Sequence, residues 1–223
     1  MSLEIRVLGD LTVLRHGEVV SLPPSKKTRA LLAYLALVGR PQRRERLCEM
    51  FWEVPDDPRG ALRWSLSKIR QVVDFGNSGI LEADRSVVRL NTSEIVLDIA
   101  PLRGLDVRDI EALDREKLEA LAGAFRGCFL DDLSLPRCPE FEAWRIATAD
   151  ELHVTHLRIL RVLVDRLADE PARALTHAHV LHGLEPEDEA LRADIRRLSE
   201  AARQSAMVQS RALRTDTGTA PTG

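Results

Sequence analysis

The chain has 223 residues, of which 44% are hydrophobic, so it can bury one sizeable core or two small ones. Its formal net charge of −3 argues against a histone-like protein that coats nucleic acid indiscriminately. The charge is unevenly distributed: residues 1–95 carry 15 Lys and Arg against 12 Asp and Glu (+3), and residues 96–223 carry 17 against 23 (−6). A mildly basic front half and an acidic back half suit a DNA-reading module joined to a protein-contacting one.

The amino terminus does not look like a targeting signal. Residues 1–6 alternate apolar and charged side chains, and no uninterrupted apolar run approaches the roughly 18 residues of a membrane span. Cys48, Cys128 and Cys138 are odd in number and lack the spacing of a zinc site, which favours a reducing compartment. We therefore expect a soluble, cytoplasmic protein without a membrane partner.

Taken in order, the chain opens with three short strands. Their alternating apolar residues and two-residue turns predict an antiparallel meander over residues 3–7, 11–14 and 18–22. Pro23-Pro24 ends the meander, and Ser25 can cap a helix over residues 26–38 that stops at Gly39. A second short helix is predicted over residues 43–52.

A third helix, over residues 57–74, has two distinct faces. Asp57 can cap its start, Pro58 suits the first helical position, and Leu62, Leu66, Ile69 and Val73 form one apolar stripe. The opposite face carries cationic and neutral groups with no carboxylate before Asp74; its members are Gly60, Trp64, Ser67, Lys68 and Gln71, with Arg63 and Arg70 on one flank. The alternative is an ordinary amphipathic core helix with a chance run of arginines. The B-DNA major groove is just wide enough for a helix, so this face suits an anionic duplex.

A terminal hairpin follows a break at residues 76–79. Its strands, residues 80–83 and 86–90, are joined across Asp84-Arg85. The order of strands, three helices and hairpin predicts a winged helix-turn-helix, in which the third helix enters the major groove. The second helix, with Arg43, Arg44 and Arg46, would cross the backbone, and the hairpin arginines would reach phosphate or the minor groove. The candidate DNA-binding residues are Arg44, Arg59, Arg63, Ser67, Lys68, Arg70, Arg85 and Arg89.

From about residue 105 the chain shows long helical patterns. They predict helices near 118–125, over 140–167, and an αα-hairpin of residues 171–184 and 186–201, about one tetratricopeptide repeat in length. The predicted fold class is an α+β winged helix-turn-helix domain followed by an all-α tetratricopeptide-like helical domain. The predicted boundaries are 1–97 for the first domain, 98–213 for the second, and 214–223 for a disordered polar tail.

Several spaced blocks also resemble a known family. Residues 39–41, 44–47, 51–52 and 61–70 (Ala-Leu-Arg-Trp-Ser-Leu-Ser-Lys-Ile-Arg) are similar to the OmpR-type winged helix of SARP-type activators. Gly127-Cys-Phe-Leu, Phe141-Glu-Ala-Trp144 and the block 184–191 resemble the bacterial transcriptional activation domain (BTAD) that follows it in that family. The resemblance covers residues 3–213. It implies double-stranded DNA with direct-repeat sites, RNA polymerase, and a second protomer as partners.

The expected function is therefore a sequence-specific transcription regulator, an activator without enzymatic activity. The alternative is a protein-interaction or regulatory module of a larger multidomain regulator with weak or no DNA binding. The acidic loop 53–57 would be repelled by DNA phosphate and is expected to face polymerase. The outward Trp64 can pack on the helical domain, or touch a thymine methyl or sugar, and the sequence leaves these options open.

No cofactor and no metal are predicted. The sequence lacks a glycine-rich phosphate loop, a Ser/His/Asp set and paired catalytic carboxylates. His177, His179 and His182 are close in sequence, but on a helix His177 points largely away from the other two. Surface histidines are therefore the simpler interpretation.

Overall fold

A computed structural model describes residues 3–52, 57–75 and 79–216, with side chains to residue 208. It divides into two compact units, the first comprising residues 1–104 and 123–153 and the second comprising residues 105–122 and 154–223. This division differs from the sequence boundary at 97/98. The long helical patterns begin near residue 105, but residues 123–153 return to pack with the winged helix.

The first unit opens with a four-stranded sheet in the order β3-β2-β1-β7. Its strands are β1 (Leu3–Arg6), β2 (Thr12–Arg15), β3 (Glu18–Val19) and β7 (Ile95–Leu97). The predicted meander is present, although its third strand is shorter than residues 18–22. The parallel pairing of β7 with β1 was not predicted, because it joins segments about 90 residues apart. Directly after β7, the carboxylate of Asp98 accepts hydrogen bonds from the backbone N–H groups of Val7 (2.9 Å) and Leu8 (3.1 Å).

Three helices follow: α1 (Lys26–Val38), α2 (Arg44–Trp52) and α3 (Pro58–Val73). The predicted bounds of α1 are confirmed, since the Ser25 side chain accepts from the Thr28 N–H at 3.3 Å and Gly39 ends the helix at φ 63°. The second helix begins one residue later than predicted, because Gln42 and Arg43 form the short strand β4.

The hairpin is a three-stranded sheet in the order β4-β6-β5. The two predicted strands are present, each beginning one residue later than predicted, as β5 (Leu81–Ala83) and β6 (Val87–Leu90). The strand β4 (Gln42–Arg43) adds to the edge of β6. The Arg44 N–H donates to the Ser86 carbonyl at 2.9 Å, which ties the start of α2 to the hairpin.

Residues 123–153 complete the core of the first unit. The Arg126 N–H donates to the Leu8 carbonyl and the Leu130 N–H to the Val7 carbonyl, both at 3.0 Å. The aromatic residues of this segment then pack on the winged helix: the ring centroids lie 5.3 Å apart for Phe141–Phe51 and 5.0 Å for Trp144–Tyr34. Two of the blocks that resemble the activation domain, residues 127–130 and 141–144, therefore belong to the first unit, and the second of them packs on α1 and α2.

The second unit is helical. The helices of the remaining chain are α4 (Val107–Ala112), α5 (Arg115–Ala124), α6 (Pro139–Arg166), α7 (Pro171–Leu184) and α8 (Glu189–Asp216). The division between the units falls within α5 and again within α6. Ion pairs link the helices of the second unit, including Arg115–Asp169 at 2.6 Å and Arg173–Glu119 at 2.7 Å.

The last helix is longer than predicted. It continues to Asp216, past the expected end at residue 201, because no glycine or proline interrupts residues 189–216. Residues 214–216 of the predicted tail are therefore helical, and residues 217–223 lie outside the described residues. Within the described part of the chain, no helix combines the length and apolar character needed to cross a bilayer.

Candidate nucleic-acid interface

The buried face of α3 fixes which of its residues point outward. The predicted apolar stripe is buried, and Ser65 and Val72 join it. The Ser65 hydroxyl lies 3.0 Å from the Thr28 hydroxyl of α1, and both side chains are buried. This polar contact inside an apolar interface favours one rotation of α3 about its axis, because another rotation would leave both hydroxyls without a partner.

Both ends of α3 are also held. At the first end the Asp57 carboxylate accepts from the Gly60 N–H at 2.7 Å, as the predicted cap requires. At the other end Arg15 of β2 donates to the Val72 carbonyl at 2.8 Å, and its guanidinium carbon lies 4.4 Å from the centroid of the Phe75 ring. The helix is thus a rigid support for the side chains on its outer face.

That outer face is broadly exposed. The side chains of Arg59 and Arg63 are 78% and 71% exposed, and Trp64 is 49% exposed. Ser67 and Gln71 are also exposed on this face. Lys68 is half-buried, with its ammonium 5.7 Å from the centroid of the Trp64 ring.

The first turns of α3 share an open cleft with α2 and the hairpin. The cleft has a volume of about 510 Å³ and is lined by Arg44, Glu45, Asp57, Arg59, Leu62, Arg63, Asp84 and Arg85. Four of the eight predicted DNA-binding residues therefore meet at one place, although they come from three elements.

The same cleft contains carboxylates that the helical wheel did not predict. Glu45 of α2 lies 3.5 Å from Arg59, and Asp57 lies 3.9 Å from Arg63. The third acid, Asp84, comes from the hairpin turn. The absence of carboxylates along the outer face of α3 thus does not extend to the cleft, because the fold brings acids from neighbouring elements. Exposed pairs of this kind are weak, so an anionic ligand can compete for the arginines.

The hairpin turn is held by its own hydrogen bonds and by α2. One oxygen of the Asp84 carboxylate accepts from the backbone N–H groups of Val87 (2.8 Å) and Ser86 (2.6 Å), and these bonds lower the pKa of Asp84. Arg44 donates through Nε to the Asp84 carbonyl at 2.7 Å. Arg85 is exposed beside this fixed turn, whereas Arg44 is half-buried and braces it.

Two predicted contacts, Arg70 and Arg89, occupy different surroundings. Arg70 turns back along α3, where Nη2 donates to the Leu81 carbonyl and Nε pairs with Asp74, both at 3.4 Å. Arg89 is half-buried in β6 opposite Glu82, and its Nε is shielded from solvent. Both residues belong to the junction of α3 and the hairpin rather than to the cleft.

Two other regions carry residues singled out in the sequence. Arg43 and Arg46 line a second open cleft together with Arg40, and Arg46 pairs with Glu140 at 2.7 Å. In the second unit His177 lies 3.7 Å from Glu119, and the described residues hold no group of three metal-ligating side chains. Residues 53–56 of the acidic loop 53–57, which was expected to face polymerase, lie outside the described residues.

The fold defined by these elements is a winged helix-turn-helix whose α3 and hairpin form one surface, followed by a helical region. It is similar to the structure of EmbR of Mycobacterium tuberculosis in complex with a low-affinity phosphopeptide, with a TM-score of 0.56 and 19% sequence identity. The similarity covers 96% of this chain and 70% of that one. No family model and no curated protein matches the sequence. At this identity the likeness concerns the fold: it confirms the predicted winged helix followed by a helical domain, and it supports the SARP-type fold indicated by the sequence blocks.

Proposed function

We propose that this protein is a DNA-binding transcription regulator that places α3 in the major groove and Arg85 of the hairpin against the phosphate backbone. The supporting observation is the meeting of Arg44, Arg59, Arg63 and Arg85 at one cleft beside the exposed face of α3. Arginine is the side chain best suited to bidentate contact with guanine and phosphate. The α3 helix has 16 residues, or about 24 Å, which is long enough for several base contacts.

Each group has a distinct role in this proposal. Arg59 and Arg63 exchange their exposed carboxylate partners for guanine edges or phosphates. Ser67, Lys68 and Gln71 supply further polar contacts along α3, and Arg44 keeps the hairpin in place through the Asp84 carbonyl. The phosphate contacts provide affinity and orientation, and the base contacts provide specificity.

The finer parts of the proposal concern the rest of the chain. We propose that the helical region, with its tetratricopeptide-like pair α7 and α8, contacts RNA polymerase or a second protomer, and that the regulator is a cytoplasmic activator. The support for these points is the resemblance of the sequence blocks to SARP-type activators. We propose Arg70 and Arg89 as secondary DNA contacts, because the side chain of each is partly exposed.

The alternative is a protein-interaction module without DNA binding, and one observation favours it. Three carboxylates, Glu45, Asp57 and Asp84, face four arginines across the cleft, so its net charge is small. A protein partner with mixed charges would fit such a cleft, whereas DNA must displace the acids from their pairs.

Selection of genomic fragments by the full chain, followed by sequencing and titration of the selected duplex at several salt concentrations, tests the proposal. We expect the logarithm of the association constant to fall with that of salt, with a slope near −0.9 per phosphate contact. The variant R59A/R63A/R85A should reduce both affinity and slope. A matched control, R196A/R197A/R203A, removes three exposed arginines of α8 and the same charge, and should leave both unchanged. Equal losses of affinity in the two variants would mean that only the net charge of the chain matters. A complete lack of duplex binding would favour the protein-interaction alternative.

A further inference from the structure

Trp64 is a large apolar side chain on a face that is otherwise polar and cationic. Half of its surface is accessible, and it lies on the outer face of α3 between Gly60 and Ser67. The apolar stripe of α3 already fills the core side of the helix, so the fold of the first unit does not require an indole on the outer side. The accessible half of the indole presents a flat apolar surface that an apolar group of a ligand can cover.

The surroundings of Trp64 limit the chemistry of that ligand. The ammonium of Lys68 lies 5.7 Å from the ring centroid, and Arg63 precedes the tryptophan in the helix with an exposed guanidinium. These cations favour a polyanion around the indole. In the major groove of a polyanionic duplex, the thymine C5-methyl is the apolar group at the base edges.

We infer that Trp64 contacts a thymine methyl in the major groove and thereby sets a preference for thymine at one position of the binding site. This inference rests on the proposed function. In this arrangement Arg63 and Lys68 bind the phosphates and purine edges, and Trp64 packs against the methyl group. The indole is suitable for this role because it is rigid, and α3 is held at both ends and on its buried face.

Removal of the methyl group alone tests the inference. The selected duplex is prepared with deoxyuridine in place of thymidine at each position in turn, which deletes the methyl and keeps the hydrogen-bonding edge. At one position we expect the full chain to bind about fourfold more weakly, the loss that follows from one buried methyl-sized group. At that position Trp64→Ala should bind the thymidine and deoxyuridine duplexes equally well.

A control on the same face separates this effect from a general loss of contact. Gln71 lies on the same exposed face as Trp64. The variant Gln71→Ala should bind the duplex more weakly but should keep the fourfold difference between the thymidine and deoxyuridine duplexes. Because the indole is outside the core, Trp64→Ala should also unfold at the same denaturant concentration as the parent chain.

Four results would overturn the inference. Salt-dependent binding that is indifferent to every methyl deletion would refute the role of Trp64 and leave the proposed function intact. If Trp64→Ala still binds the deoxyuridine duplex more weakly than the thymidine duplex, another residue contacts the methyl group. If Trp64→Ala binds the duplex normally but fails to activate a reporter, the indole faces a protein partner instead. A chain that binds no duplex would refute the proposed function together with the inference.

Discussion

Replacement of Phe141 by alanine should disrupt the first unit, even though Phe141 is far in sequence from α3. The side chain is 0% exposed, and its ring centroid lies 5.3 Å from that of Phe51 and 5.5 Å from that of Trp144. Deleting a buried phenylalanine costs about 3–5 kcal/mol, since the removed atoms leave a cavity among groups that relax only in part. Against a total stability of about 5–15 kcal/mol for a domain, the loss is large.

The assay is the denaturant midpoint of the full chain, followed by tryptophan fluorescence, together with its affinity for the selected duplex. Ile146→Ala is the matched control, because Ile146 belongs to the same helix and is 50% exposed. It should change the stability by no more than about 0.5 kcal/mol. If Phe141→Ala leaves the midpoint and the duplex affinity unchanged, residues 123–153 are not part of the core that supports α3. On the same reasoning, a chain that ends near residue 100 should unfold at lower denaturant than the full chain.

Four further changes follow from the cleft and the hairpin. Arg63→Ala should weaken binding to the selected site by roughly 1–3 kcal/mol and to random duplex by less, because a guanine contact is specific; equal losses in the two titrations would indicate a phosphate contact. Arg85→Ala should reduce the salt slope by about 0.9 as one phosphate contact is lost, and an unchanged slope would mean that the hairpin faces away from DNA. Glu45→Gln should raise the affinity for any duplex about two- to fivefold by releasing Arg59 from its pair, a gain that a titration on random duplex would detect or exclude. Hydrogen bonds hold the pKa of Asp84 below its ordinary 3.8, so the hairpin turn should be intact above pH 3.8 and should open as the pH falls through the lowered pKa. The amide proton shift of Val87, followed by NMR, reports this opening. An amide shift that does not change in acid would contradict the prediction.

The first three helices and the hairpin were predictable because their signals are local. Ser25 and Gly39 mark the two ends of α1, and Asp57 with Pro58 marks the start of α3. The apolar spacing of α3 then determined its buried face, so the exposure of Arg63 and Trp64 followed directly. These features depend on residues a few positions apart, and one sequence is enough to recognise them.

Features that depend on distant pairing could not be predicted. The strand β7 is three residues long and pairs with β1, which lies about 90 residues earlier in the sequence. The return of residues 123–153 depends on contacts such as Leu130 with Val7, which have no local pattern. In the cleft, the acids that face Arg59 and Arg63 come partly from other elements, so a helical wheel of α3 alone overstated its positive character. Asp57 and Asp84 were visible locally, as the cap of α3 and in the hairpin turn, but their local patterns do not show that they share a cleft with the arginines.

The discontinuous first unit has a consequence for how the protein is made. Translation yields residues 1–104 first, but the core around Phe51 and Tyr34 lacks its partners until residue 153 has left the ribosome. At synthesis rates of about 5–20 residues per second, the 49 residues from 104 to 153 add roughly 2–10 seconds to the wait. During that interval the aromatic faces of α1 and α2 are exposed on the nascent chain. The chain is therefore most prone to aggregation, and most in need of chaperones, at this stage of synthesis.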